Sequence, residues 1–353
     1  MTLPQHRLPG IDALKGVACV LIVSHHLAFY GPMSDVVHTV MPALMSWLYS
    51  YGRMAVQVFL VVGGFLAASS LAPRGVAVFR EPGQLILRRY RRLVLPLLLA
   101  LFITIAVAAL VRPWLQHSSV PDAPTLWQVL AHLFLLQDIL GQEALSAGIW
   151  YVAIDFQLFV ISVALFTLAR SSQRLWPGSA AHAGVWVVLA LTAASLLYFN
   201  RLAWLDMTGL YFFGSYALGM LAWWASRSAR PVRWLLAIAL LGGLALAFDF
   251  RGRLVVALLV ALGLVGLQRG PWAARWLQQP WLLQLGQLSY SVFLIHFSVL
   301  LLVNAVVSHF WPIDVVANVI GMLFAFLLSL LAGAALHQLL EAPAAPRLPV
   351  PTL

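Results

Sequence analysis

The sequence predicts an all-α protein, a polytopic membrane helix bundle of about ten transmembrane helices with both termini in the cytoplasm. Three observations carry this. Of the 353 residues, 62% are hydrophobic and 9% charged, with a mean hydropathy of +0.92, whereas a soluble domain carries about a quarter charged residues. Ten apolar stretches are long enough to span a bilayer, near 12–30, 54–72, 93–111, 149–169, 183–199, 206–226, 232–249, 252–268, 286–307 and 315–339. The arginines also segregate. Fifteen of them (7, 74, 80, 88, 89, 91, 92, 170, 174, 227, 230, 233, 269, 275 and 347) fall on one side of that plan and five (53, 112, 201, 251 and 253) on the other. Basic loops stay in the cytoplasm, so the net charge of +10 reads as topology and not as nucleic-acid binding.

The first stretch, Ile11 to Tyr30, holds Lys15 and His26 where hydrocarbon disfavours ionisable groups. They are eleven positions apart, so they share one helix face, roughly 16 Å from each other. His25 points about 100° away from His26, so one histidine of the two belongs to the Lys15 stripe. An imidazole acts as a base near neutral pH or carries a group covalently, which points to acyl or phosphoryl transfer. The plainer alternative is a buried histidine satisfied by a neighbouring helix. Metal binding fits less well, since adjacent histidines diverge and no cysteine or His-Glu cluster adds ligands. The stretch is a full span with no small-residue cleavage site, which reads as a retained helix and not a signal peptide. Its Cys19 is the single cysteine of the chain, so no intrachain disulfide is expected.

Residues 31–52, with Trp47, Tyr49 and Tyr51, suit the outer interface, where aromatic rings are favoured. The second span contains Gly63-Gly64-Phe65, where glycines allow close helix packing. The third span follows Arg88-Arg-Tyr-Arg-Arg92. Arg89 and Arg92 are three apart and share a face, and two guanidinium forks suit phosphate, although a basic cluster there also serves as a topology anchor. Within 112–148, Leu126 to Leu140 is apolar but short for a span, which predicts an interfacial or re-entrant helix. Span four opens Trp150-Tyr-Val-Ala-Ile-Asp155, whose acid needs a partner or a polar cavity. Spans seven and eight are joined by the tight turn Asp249–Arg253. Span nine carries Gly286, Ser289, Tyr290 and His296, with Ser289 and His296 on one face. No stretch is large and polar enough for a soluble domain, so residues 1–353 are expected to form one integral membrane unit.

In this order the five segments resemble the integral membrane acyltransferase family 3. Asp12, Lys15, Gly16 and His26 match its first-helix pattern, with Lys15 where arginine is usual, which keeps the charge and loses the bidentate fork. The spacing assigns the family's histidine to His26. Gly63 replaces the serine of its Ser-Gly-Phe motif. Arg89, Arg92 and Pro96 resemble its Arg-x-x-Arg before proline. Trp150, Tyr151 and Asp155 resemble its Trp-Tyr-x-x-x-acid segment, and Gly286, Ser289, Tyr290 and His296 its closing motif, with one residue more than usual before the histidine. The family's optional hydrolase-like domain has no expected counterpart within residues 1–353.

The resemblance implies an O-acyltransferase in the bacterial inner (cytoplasmic) membrane, with no bound cofactor or metal. Acyl-CoA, acetyl-CoA or a succinyl counterpart, would be the co-substrate, and a carbohydrate or lipid-linked glycan outside the cytoplasm the acceptor. His26 would deprotonate the acceptor hydroxyl or carry the acyl group transiently. Lys15, Arg89 and Arg92 would bind the donor, with Asp12, Trp150, Asp155, Ser289, Tyr290 and His296 in support. The competing reading is a secondary transporter with a polar path, against which stands the lack of two corresponding halves with interrupted helices.

Overall fold

The computed structural model describes residues 9–175, 183–270 and 276–341. Arg7, Arg275, Arg347 and the side chain of Arg174, all part of the charge count, lie outside the described residues. The described helices are α1 (Pro9–Phe29), α2 (Pro32–His38), α3 (Pro42–Tyr51), α4 (Val56–Leu71), α5 (Pro82–Val111), α6 (Leu126–Leu133), α7 (Ile149–Leu175), α8 (Ala183–Leu197), α9 (Gly209–Arg227), α10 (Pro231–Phe248), α11 (Gly252–Arg269), α12 (Pro280–Phe310) and α13 (Val315–Leu340). Proline opens α2, α3, α5, α10 and α12, a position where its missing N–H costs nothing and its fixed φ suits the helix. Asp314 caps α13 by accepting from the Ala317 amide. A 3-10 turn, Gly52–Ala55, runs α3 into α4, so that Pro42–Leu71 forms one kinked span.

Among the described residues, nine helical spans are long and apolar enough to cross a membrane. They match nine of the ten expected stretches. The remaining one, 206–226, is helical too, as α9, but its tyrosines, tryptophans, glycines and serines make it more polar. The reason is its position. Sixteen of its nineteen residues are buried, against α4, α7, α8, α10 and α11. A helix sheathed by protein does not face lipid and need not be greasy. The lipid-facing helices show the converse. In α10 and α13, 17% and 28% of the spanning window is buried, and the rest is an apolar surface of leucines and valines.

The two longer connections are not simple loops. Residues 31–52 are largely helical, as α2 and α3. The interfacial or re-entrant helix expected over Leu126–Leu140 is helical only as far as Leu133. Thr125 and Gln128 form a capping box at its start. His132 bonds back to the Gln128 carbonyl at 2.8 Å, and Leu135 then takes a positive φ of 57°, which ends the helix.

Candidate active site

The site begins with two glycines. A Cβ on Gly286 of α12 would lie 1.8 Å from the Asp12 carbonyl oxygen of α1, and one on Gly16 would lie 2.7 Å from the Leu282 carbonyl oxygen. A Cβ at either position would force the helices apart, far more at Gly286 than at Gly16, so the two helix backbones touch. From this crossing the contacts run on in a fixed register. Cys19 Sγ lies 3.8 Å from the Ser289 carbonyl oxygen, and His26 meets His296. Each pair is offset by 270 positions, so α1 and α12 run parallel with almost no slippage. Gly16 and Gly286 each precede a histidine by ten residues, and their contact brings the two imidazoles together.

His26 Nδ1 and His296 Nε2 are 2.6 Å apart. His296 Nδ1 lies 2.7 Å from the Phe293 carbonyl oxygen, which can only accept. His296 therefore donates from Nδ1 and accepts at Nε2, and His26 donates from Nδ1. That fixes the His26 tautomer and makes Nε2 its lone-pair nitrogen. The ring lines a cavity of about 830 Å³, together with His25, Tyr30, Arg53, Glu143, Ser146 and Trp150 among others. His25 Nδ1 donates to the Leu48 carbonyl at 3.0 Å, so this histidine holds α1 against α3 and takes no part in the His26–His296 pair. Gly148, at φ 78°, allows α7 to start beside this pair, because a Cβ there would lie 2.7 Å from the Phe293 ring and 3.5 Å from His26 Cε1.

The expected donor residues lie toward the opposite end of α1. Lys15 Nζ is 3.7 Å from Asp12 Oδ1, one turn back. Arg89 does not stand beside Arg92. Its guanidinium turns inward and donates to Asp155 Oδ2 at 2.5 Å, with the two side chains 28% and 7% exposed, and it rests over the Phe159 ring. Asp155 thus has the partner its depth requires. Arg92 stays exposed, with Lys15 within electrostatic reach. Of the other expected residues, Trp150 lines the cavity, Tyr290 Oη donates to the Leu93 carbonyl at 2.7 Å, and Ser289 Oγ donates to the Gly286 carbonyl at 2.8 Å. Ser289 and His296 share a helix but not a site. The Gly63-Gly64 pair packs: a Cβ on Gly64 would lie 1.7 Å from the Tyr216 carbonyl oxygen of α9. Among the described residues, no cluster of histidine, cysteine and carboxylate side chains could hold a metal.

Arg53, Glu143 and Ser146 also line the cavity and were not expected as site residues. They sit in connecting segments, where no helical period announces which way a side chain points. Gly148, two residues before Trp150, was the available signal.

The chain matches the acyltransferase family 3 profile, described as an acyltransferase domain, over residues 8–337. It is also similar to "Putative peptidoglycan O-acetyltransferase YrhL" of Bacillus subtilis (strain 168), 24% identical over 202 residues, which is 55% of this chain and 29% of that protein. The chain therefore spans under a third of the length of this relative. No solved structure matches.

Proposed function

Because the chain belongs to acyltransferase family 3 and is a membrane-embedded acyltransferase, we propose that it moves an acetyl or other short acyl group from cytoplasmic acyl-CoA to a hydroxyl of an extracytoplasmic glycan. A glycan acceptor agrees with the name of the Bacillus relative. The arginine asymmetry favours the Lys15 end of α1 as cytoplasmic and the His26 cavity as outward-facing, in the bacterial cytoplasmic membrane.

The observation that carries the reading is the hydrogen-bond chain from the Phe293 carbonyl through His296 to His26, which leaves Nε2 as the lone-pair nitrogen of a histidine that lines the cavity. In this mechanism the acceptor hydroxyl gives its proton to His26 Nε2 as its oxygen attacks the thioester carbonyl. The C–S bond breaks, and the imidazolium returns the proton to the departing thiolate, giving an ester and free CoA. A transient acyl group on the same nitrogen would use the same geometry. His296 holds the tautomer, as the buried orienting partner does in other His-based acyl transfer. Lys15 and Arg92 attract the CoA phosphates. Arg89, neutralised by Asp155, is better suited to fixing α5 against α7 than to serving as a second phosphate fork.

The test uses purified protein and radiolabelled acetyl-CoA. His26→Ala should lose roughly 10²–10⁴-fold in transfer, while His25→Ala retains it. The reverse pattern overturns the assignment.

A further inference from the structure

The cavity wall holds two polar groups that the acyl-transfer chemistry does not use. Ser146 is 4% exposed, and its Oγ is a buried atom with no hydrogen-bond partner. Among the described residues it is the one such atom whose residue lines this cavity. A buried hydroxyl left unpaired costs free energy, and a polar group of a ligand in the cavity would satisfy it. The second group is Arg53, on the 3-10 turn between α3 and α4. It is exposed and, among the described residues, makes no hydrogen bond or ion pair. Its turn abuts α1 next to the site: a Cβ on Gly52 would lie 2.8 Å from the His25 Cβ, and the His25 and His26 rings are 5.2 Å apart. Arg53 and His26 line the same cavity, and an unpaired guanidinium there is a fork for a planar anion.

Two further features narrow the anion. Glu143 also lines the cavity and is unpaired with Arg53, so the charged walls sum to neutral. A bound monoanion leaves the cavity one net negative charge, and a phosphate near two negative charges leaves it two, so the wall disfavours phosphate more. At the same wall the Phe29 and Tyr49 rings stack at 5.0 Å with an interplanar angle of 17°. They are 44% and 51% exposed, and they present a flat apolar surface of the kind that receives the C–H face of a pyranose. The volume of about 830 Å³ lies within the range of small-ligand sites and leaves room for more than one sugar unit.

We propose that the acceptor is a carboxylate-bearing sugar, bound with its carboxylate on Arg53 and a ring hydroxyl on Ser146, so that a neighbouring hydroxyl faces His26 Nε2. The proposal rests on the acyltransferase reading above and names the chemistry of its acceptor. Arg53 and Ser146 are binding residues here and do no chemistry.

Binding to the purified, nanodisc-reconstituted protein, measured by calorimetry without acyl-CoA, tests this apart from catalysis. The probes are a panel of hexuronate-containing tetrasaccharides, each paired with its carboxyl-reduced neutral twin, and inorganic phosphate. At least one acidic member should bind about tenfold more tightly than its twin. Arg53→Gln should erase that difference, and Arg53→Lys should restore part of it. Ser146→Ala should weaken acid and twin alike by about threefold to tenfold. Equal or absent binding of every pair overturns the proposal, as does an Arg53→Gln protein that still discriminates. Phosphate competing as well as the acid would also overturn it, and would assign Arg53 to phosphate groups such as those of lipid headgroups. A protein that fails this test yet still transfers acetyl in a His26-dependent way leaves the acyltransferase reading intact. One that binds the acid but transfers nothing separates the two in the other direction.

Discussion

Gly286→Ala is the substitution by which the α1–α12 register can be tested against the chemistry. The new Cβ would lie 1.8 Å from the Asp12 carbonyl oxygen and 2.5 Å from its carbon. These are backbone atoms in the interior of a helix, so no side-chain rotation relieves the contact. Real Cβ contacts stay above 3.0 Å, so α12 must move away from α1 by about 1.2 Å, a typical overpacking response. Helices are stiff over ten residues, and the histidine pair spans the same interface. Carried along the helix, the shift opens the 2.6 Å contact between His26 and His296 to about 3.8 Å, beyond hydrogen-bonding range. His26 would then lose the partner that fixes its tautomer. The expected result is a fall in kcat of about 10²-fold, with a stability loss of about 1–3 kcal/mol. Gly16→Ala provides the graded comparison: its Cβ needs only a few tenths of an ångström from the Leu282 oxygen, so its effect should be smaller. Gly263→Ala, with open space around its Cβ, should leave activity unchanged. The assay is acetyl transfer from radiolabelled donor, with thermal unfolding in detergent. A Gly286→Ala protein with wild-type kcat would refute the reasoning, as would a Gly16→Ala protein more damaged than Gly286→Ala.

Three other tests rest on the same geometry. His296→Ala removes the acceptor of the His26 Nδ1 proton and should lower kcat roughly 10–10³-fold, leaving the donor KM near wild type; a KM effect alone would make His296 a donor contact. Asp155→Asn strips the partner from Arg89, 2.5 Å away, and should cost about 3–5 kcal/mol of stability, part of which the double change Arg89→Gln/Asp155→Asn should recover in a mutant cycle followed by thermal unfolding. Lys15→Arg should keep the donor KM, and Lys15→Ala should raise it with kcat at saturating donor preserved. Equal behaviour of these two Lys15 variants would show that positive charge is not what the position supplies.

Much of the fold was readable because bilayer burial imposes apolar runs of fixed length, and all ten expected stretches are helical. The exception in composition, α9, shows where that signal weakens: hydropathy reports contact with lipid, and a helix wrapped by protein escapes it. The geometry of the candidate site was half legible. His26 stood out because an imidazole in a span is expensive, and spacing separated it from His25. The partnership with His296 was not in the spacing of either helix. It depends on Gly16 and Gly286 coming together across 270 positions of chain. Arg89 and Arg92 illustrate the opposite error. They share a face by periodicity, but one long side chain found a buried carboxylate, 66 positions away, and the other did not. Helical spacing fixes where a Cβ points and leaves the end of an arginine free.

The histidine pair also constrains how charge moves across the membrane. In the proposed mechanism His26 takes a proton from the acceptor hydroxyl and gives it back to the CoA sulfur, so both atoms must come to the same nitrogen. The acetyl carbonyl is then carried to the depth of His26 while the CoA phosphates stay with Lys15 and Arg92, roughly 16 Å back along α1. An acetyl group is neutral, and the proton never leaves the site. At saturating donor the chemical step should therefore ignore the membrane potential. A step that carried one full charge across would change by about 2.3 kcal/mol per 100 mV, close to fiftyfold in rate. Proteoliposomes with a potassium diffusion potential, supplied with saturating acetyl-CoA, decide between the two. A flat response from 0 to 100 mV supports proton return at His26. A rate that climbs or falls several-fold would mean that the proton leaves by another route, and that His26 is not the group that returns it.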